Sequence, residues 1–341
     1  MNILLVDDDE SIRNSWLEYS KTVGKELCEQ NAIEIIPCAN VVDSEKTLKE
    51  MCIDFLSVDL RLGSSEPEGN TLIKTVIDYS LRIPTIVITA TPGDVIEQSN
   101  VLRTYKKGED DDISDIIQYL ISIYNTGITE ILGRKGFLET SLNSFYKDFF
   151  IPNIEKWINR QAKDKDRVKR ALMKIALNNL NSLLDYDEDK AYSEQVYLYF
   201  IDTSNFYTGS LLRNRETQDT YVVISPSCDI FLRKDKQGTP CRNVEIVHLL
   251  RINKAPQKMN ASNEKDYKAN KINRYHFLPA VTNFAGGFID FADISIVPEE
   301  NINTQYEIMK LRISEPFMKN ISGRFSSYFG RQGQPDLDFE V

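Results

Sequence analysis

Histidine is scarce in this 341-residue chain: there are two, His248 and His276. Five cysteines are scattered, and none lies in a Cys-x-x-Cys pair. The odd, dispersed set argues against a disulfide framework and for reduced thiols. The Cys228, Cys241, His248 and His276 spacing matches none of the tight ligand pairs of structural zinc sites. No apolar stretch approaches the ~20 residues of a membrane span. The first apolar run, "ILLV", ends at Asp7 and is too short for a signal-peptide core, so a cytoplasmic location is expected. No internal repeat or low-complexity segment is present.

Apolar residues make up 41% and charged residues 27%, an ordinary globular balance. The length suits two or three domains. Charge is uneven: residues 1–130 carry a net −13 and residues 131–341 a net +3. The acidic first part argues against nucleic-acid binding there.

Residues 1–127 alternate strand and helix signals. "NILLVD", "AIEIIPCA", "DFLSVDLRL", "PTIVITAT" and "VLRTYKK" read as five strands. "DESIRNSWLEYSKTVGKEL", "DSEKTLKEM", "NTLIKTVIDYSL" and "EDDDISDIIQYLISIYN" read as helices, with a short one in "GDVIEQS". This (βα)5 order predicts an α/β domain with a parallel sheet covered on both faces. Residues 128–190 read as a helical connector. Its stripe of Leu138, Leu142, Phe145 and Phe149 is expected to be core against a second helix, and Pro152 interrupts the run. Residues 191–341 read as β-rich and barrel-like, with a polar loop at "APQKMNASNEKDYKANK" and a C-terminal helix.

In an open parallel sheet, ligands sit beyond the carboxyl ends of the strands. Those ends carry Asp7 and Asp8, Asp59, Thr89, and Lys106 or Lys107. Clustered carboxylates suit Mg2+. One carboxylate can attack phosphorus to form an acyl phosphate, while a hydroxyl and an ammonium hold the phosphoryl oxygens.

"ILLVDDDESIR", "DFLSVDLRLG", "PTIVITAT" and a late strand ending in lysine together resemble the receiver domain of bacterial two-component response regulators, over roughly residues 1–127. The resemblance implies a CheY-like, flavodoxin-like fold. It implies Mg2+ at Asp7, Asp8 and Asp59 with the main-chain carbonyl of Arg61, phosphoacceptance on Asp59, and Thr89 and Lys107 as phosphoryl-binding groups. It also implies a histidine-kinase-type ATPase as phosphodonor. Asp9 falls at the start of the first helix as a cap. The chain departs from the family in its long "LRLGSSEPEG" loop, its short fourth-helix segment and Gly108 after the lysine. A pseudo-receiver that takes no phosphate is the alternative.

The output reading is a protein-interaction module, with homodimerisation through the connector as a further expectation. "GSLLRN" and "TYVVISPSCD" faintly resemble an SH3-like ribonuclease barrel, which would employ Arg213 or Arg215 with Ser225 and Cys228. Cys228 is otherwise expected as a small core residue at a turn, and both histidines as structural. "RFSSYFGRQGQPD" reads either as a docking surface with Arg324 and Arg331 or as a packed helix. The whole layout resembles bacterial chains associated with antiviral defence loci.

Overall fold

The computed structural model describes residues 1–27, 32–96, 100–183, 190–199, 203–234, 240–242 and 244–331. The chain divides into two compact units, Met1–Tyr186 and Asp187–Val341.

Unit 1 opens with β1 (Asn2–Val6), α1 (Glu10–Leu27), β2 (Glu34–Cys38), α2 (Val41–Glu50), β3 (Phe55–Val58), α3 (Gly69–Asp78), β4 (Thr85–Thr89), β5 (Val101–Lys106) and α4 (Ile113–Tyr124). The five strands form one parallel sheet in the order β2-β1-β3-β4-β5, the flavodoxin-like arrangement. Alternation along β1 explains its uninterrupted apolar sequence. Ile3 and Leu5 enter one core with Trp16 of α1 and Ile116, Ile117 and Leu120 of α4. Leu4 and Val6 enter the other with Leu48 of α2 and Leu72 and Ile73 of α3. A strand covered on both faces has no polar side to show.

Between β4 and β5 the described residues form only a single 3-10 turn, Pro92–Asp94, where a short helix was expected. Part of that expectation, residues 97–99, lies outside the described residues. The edge strand β5 is largely exposed, with Tyr105 its one buried residue.

The helices α5 (Ile128–Leu132), α6 (Phe137–Phe145), α7 (Ile154–Gln161) and α8 (Lys165–Ser182) complete unit 1. Arg82 Nε donates to the Leu132 carbonyl at 2.5 Å, and Arg134 Nη1 to the Leu48 carbonyl at 3.1 Å, fixing the start of this segment to the α/β part. A π-turn, Tyr146–Phe150, precedes the 3-10 turn that contains Pro152. Proline has no N–H to give the preceding turn. The expected core stripe is a correction: Leu138, Phe145 and Phe149 are half-buried and Leu142 is exposed. Leu142, Phe145 and Phe149 face Ala176, Leu180 and Leu183 across an open cleft, so the α6–α8 pairing excludes water only in part.

Unit 2 contains β6 (Tyr197–Tyr199), β7 (Ser210–Asn214), β8 (Thr220–Val223), α9 (Ser227–Ile230), β9 (Arg233–Lys234), β10 (Pro240–Cys241), β11 (Ile246–Asn253), α10 (Glu264–Lys268), β12 (Tyr275–Leu278), β13 (Gly287–Pro298), α11 (Ile302–Gln305), β14 (Tyr306–Ile313) and α12 (Glu315–Phe329). Among the described residues, seven strands make an antiparallel sheet, β12-β13-β11-β8-β7-β14-β6. β9 and β10 form a separate ribbon. The large sheet curls, so that Tyr197 of β6 donates its hydroxyl to the Pro279 carbonyl just past β12, at 2.7 Å. No ladder joins β6 to β12 among the described residues, so the sheet is a half-barrel.

The helix α12 packs Met318 and Ile321 onto the inner face, with Leu250, Ile289, Phe291 and Leu311. Arg324 donates to the carbonyls of Asn270, Ile272 and Tyr275. It is a clamp within the unit, not part of an outward docking surface. The polar segment 255–271 contains α10, anchored by buried Tyr267. No helix among the described residues is long and apolar enough to cross a membrane.

Candidate functional site

The carboxyl ends of β1, β3, β4 and β5 converge on one rim, because parallel strands place all their C-termini together. Asp7 follows β1, and its N–H donates to the Cys38 carbonyl at 3.1 Å. Asp59 follows β3, and its N–H donates to the Val6 carbonyl at 2.8 Å. These two ladder bonds carry both carboxylates into the interior, where Asp7 is 2% and Asp59 7% exposed. Asp8 is exposed beside them. The carboxylates of Asp7, Asp8 and Asp59 offer oxygens within 4.8 Å of one another, and no other such acid, cysteine or histidine group occurs among the described residues.

Lys107 closes the cluster. Its Nζ lies 2.8 Å from Asp7 Oδ2 and 2.6 Å from Asp59 Oδ2. Lys106, which the sequence left as an equal candidate, turns outward to Glu109 at 2.5 Å. Adjacent residues of a strand point to opposite sides, so only one of the two lysines can face the rim. Gly108, at φ +79°, lets the chain turn away immediately afterwards. Thr89 is 1% exposed at the end of β4, and its carbonyl accepts the Lys107 N–H at 3.0 Å.

Two buried carboxylates sharing one ammonium leave an excess negative charge. Burial pushes the Asp7 carboxyl above its usual value, against the pull of Lys107 and the Asp9 N–H. Burial alone would pull the Lys107 ammonium down, but its bonds to Asp59 and Asp7 outweigh this and hold it above its usual value. Hard oxygen donors with surplus negative charge are the chemistry that a divalent cation such as Mg2+ satisfies, so the residues present fit that ion. Asp9 does not join the cluster. Its Oδ1 accepts the Ser11 N–H at 2.8 Å, as a cap on α1.

Arg61 directs its guanidinium to Asp94 at 3.0 Å, bridging the loops after β3 and β4. Its N–H points to Asp59 Oδ1 at 3.4 Å. Two supporting residues carried no signal in the sequence. Arg13 Nη1 donates to the Asp7 carbonyl at 2.5 Å. A Cβ on Gly69 would lie 2.2 Å from the Asp59 carbonyl oxygen. Gly69 had read only as the end of a loop.

In unit 2 the residues of the ribonuclease alternative separate. Arg213 and Arg215 line one cavity, Ser225 another. Cys228 is exposed, on short α9, with its thiol on Asp229 at 3.3 Å; the expected core position is corrected. His276 is 5% exposed within β12. His248 Nδ1 lies 3.4 Å from Ser225 Oγ.

No family model matches the chain, and neither does any curated protein. Among solved structures it is similar to the receiver domain of the hybrid histidine kinase CckA, at 19% identity over 36% of this chain and 97% of that one (TM-score 0.27). It is also similar to the response regulator TrrA from Thermotoga maritima in complex with Mg2+-BeF, at 19% identity over 35% and 97% (TM-score 0.29). A CheY-like receiver domain from Methylobacillus flagellatus matches at 17% identity over 35% and 98% (TM-score 0.26). All three likenesses fall on the N-terminal part of the chain.

Proposed function

We propose that unit 1 is a phosphoacceptor module and that Asp59 is the acceptor. The observation that carries this reading is the placement of Lys107 Nζ between Asp7 and Asp59, with Asp8 beside them. An Asp59 oxygen attacks phosphorus of a phosphohistidine on a histidine-kinase-type ATPase. The P–N bond breaks, the donor imidazole leaves with a proton from solvent, and an acyl phosphate remains. Lys107 then exchanges a carboxylate oxygen for a phosphoryl oxygen, and the Thr89 hydroxyl offers a second donor. Asp7, Asp8, Asp59 and the Arg61 carbonyl would hold Mg2+, which supplies charge neutralisation at the incoming phosphoryl group.

Exchange of partners at Lys107 gives the rim two charge states. In this reading they bias the activity of unit 2, a module that works through protein interaction. The test is intact-mass measurement of the full chain after incubation with acetyl phosphate and Mg2+. Wild type gains one phosphoryl group, and Asp59→Asn gains none. Equal uptake by Asp59→Asn, or no uptake by wild type, contradicts the reading.

A further inference from the structure

Unit 2 holds a groove of about 1010 Å3 that the phosphoacceptor reading does not use. Its floor crosses the large sheet. Arg312 stands on β14 at one end, Ser225 just past β8 and His248 on β11 lie midway, and Ile296 stands on β13 at the other end. Strands β14, β7, β8, β11 and β13 are successive neighbours, so the floor is roughly 19 Å long. The wall is α12. It starts directly after β14 and Ser314, and it carries Phe325 onto Phe291 of β13, with ring centroids 6.0 Å apart. The first turn of α12 therefore lies at the Arg312 end, and Phe325 and Phe329 lie at the Ile296 end.

The two ends differ in chemistry. At the β13 end, Ile294 and Ile296 are two residues apart, share one face of the strand, and line the groove with Phe325 and Phe329. Ile296 is 62% and Phe329 57% exposed, a large apolar surface that a ligand would take out of water. At the β14 end, Arg312 Nε donates to the Thr208 carbonyl at 2.8 Å, and the guanidinium lies 5.3 Å from the centre of the Tyr207 ring. These contacts hold a half-buried cation in place. Ser227 Oγ, 3.1 Å from Thr208 Oγ1, adds a hydroxyl beside it.

Charge and shape point to the occupant. The charged residues lining the groove are Arg312, Lys319 and Glu315, one positive charge in surplus. A concave, mainly apolar channel with a few polar groups gathered at one end is the form of a small-molecule site. The polar end suits a carboxylate, which a guanidinium recognises through charge-assisted hydrogen bonds. The apolar length beyond it suits a hydrocarbon chain, which gains free energy with every methylene buried.

We propose that this groove binds a long-chain carboxylate, with the head group at Arg312 and the chain running along the sheet beside α12 to Ile294 and Ile296. The inference is independent of phosphoacceptance on Asp59. It is tested by isothermal titration calorimetry of the full chain with octanoate, decanoate and dodecanoate. Binding is saturable, and each two-carbon extension tightens it by about tenfold. Dodecanol and dodecyltrimethylammonium bind the wild type at least about tenfold more weakly than dodecanoate. Arg312→Gln lowers dodecanoate affinity at least about tenfold and leaves dodecanol affinity unchanged, whereas Ile296→Asp weakens both. The comparison of head groups on the wild type does not depend on Arg312→Gln folding well. No saturable binding, an affinity that does not rise with chain length, or equal binding of dodecanol overturns the proposal. So does indifference of dodecanoate to Ile296→Asp or to a folded Arg312→Gln. A full-chain dimer that becomes a monomer in Ile296→Asp also overturns it, because it puts a second copy in the groove.

Discussion

The neighbouring lysines 106 and 107 show how much depends on one backbone step. Lys107 touches two buried carboxylates, and Lys106 touches an exposed glutamate. Lys107→Met leaves Asp7 and Asp59 without their shared counter-charge. It is expected to destabilise unit 1 by roughly 2–3 kcal/mol in chelator, and to slow phosphoryl uptake by about a hundredfold. Lys106→Met removes an exposed pair and should shift stability by less than about 0.5 kcal/mol. Urea titration in EDTA and uptake kinetics on both variants check this; equal effects of the two substitutions would show that the rim does not use Lys107. The sequence narrowed the choice to these two residues and went no further, because the end of β5 decides which side of the strand faces the rim.

At the scale of elements, the site depends on how closely α3 approaches β3. The N–H of Gly69 donates to the Leu60 carbonyl at 2.9 Å, and a methyl group there would meet the Asp59 main chain. Gly69→Ala is therefore expected to cost about 1–3 kcal/mol and to displace Asp59, lowering phosphoryl uptake although residue 69 touches no reacting atom. Thermal unfolding and uptake measured together check it; a stable variant with full uptake would show that the loop yields. The sheet of unit 1 was legible because each strand is an apolar run ending in a residue with chemistry. Asp7, Asp8 and Asp59 were legible for the same reason. The short helix expected between β4 and β5 and the α6 stripe were less so. Apolar periodicity states which face of a helix is apolar, not whether another element covers it. Cys228 was misplaced because a small thiol at a turn packs in or out according to the short helix that carries it, and four residues of sequence hold no period.

At the scale of the whole molecule, the two units have separate cores, and both histidines lie in the second. His276 is buried in β12 with Nδ1 unpartnered, and burial, with Arg324 nearby, lowers it to about 4 from 6.5. Between those values the unfolded chain takes up a proton that the folded one refuses, so stability rises with pH across the window and is lost as pH falls through it. The loss for this one group is on the order of 3 kcal/mol. Both tryptophans, Trp16 and Trp157, lie in unit 1, so tryptophan emission follows that unit alone. Far-ultraviolet circular dichroism should then show an acid-sensitive transition that tryptophan emission does not share, and His276→Gln should flatten it; an unchanged pH profile in that variant would assign the sensitivity elsewhere.

On the proposed function, the rim of unit 1 carries a phosphoryl group on Asp59. Borohydride reduces an aspartyl phosphate to homoserine, which peptide mass spectrometry locates to a single residue. After treatment of the full chain with acetyl phosphate and Mg2+, homoserine should be found at position 59, and omission of Mg2+ should abolish it. Homoserine at Asp7 or Asp8, or at none of the three, would contradict the account.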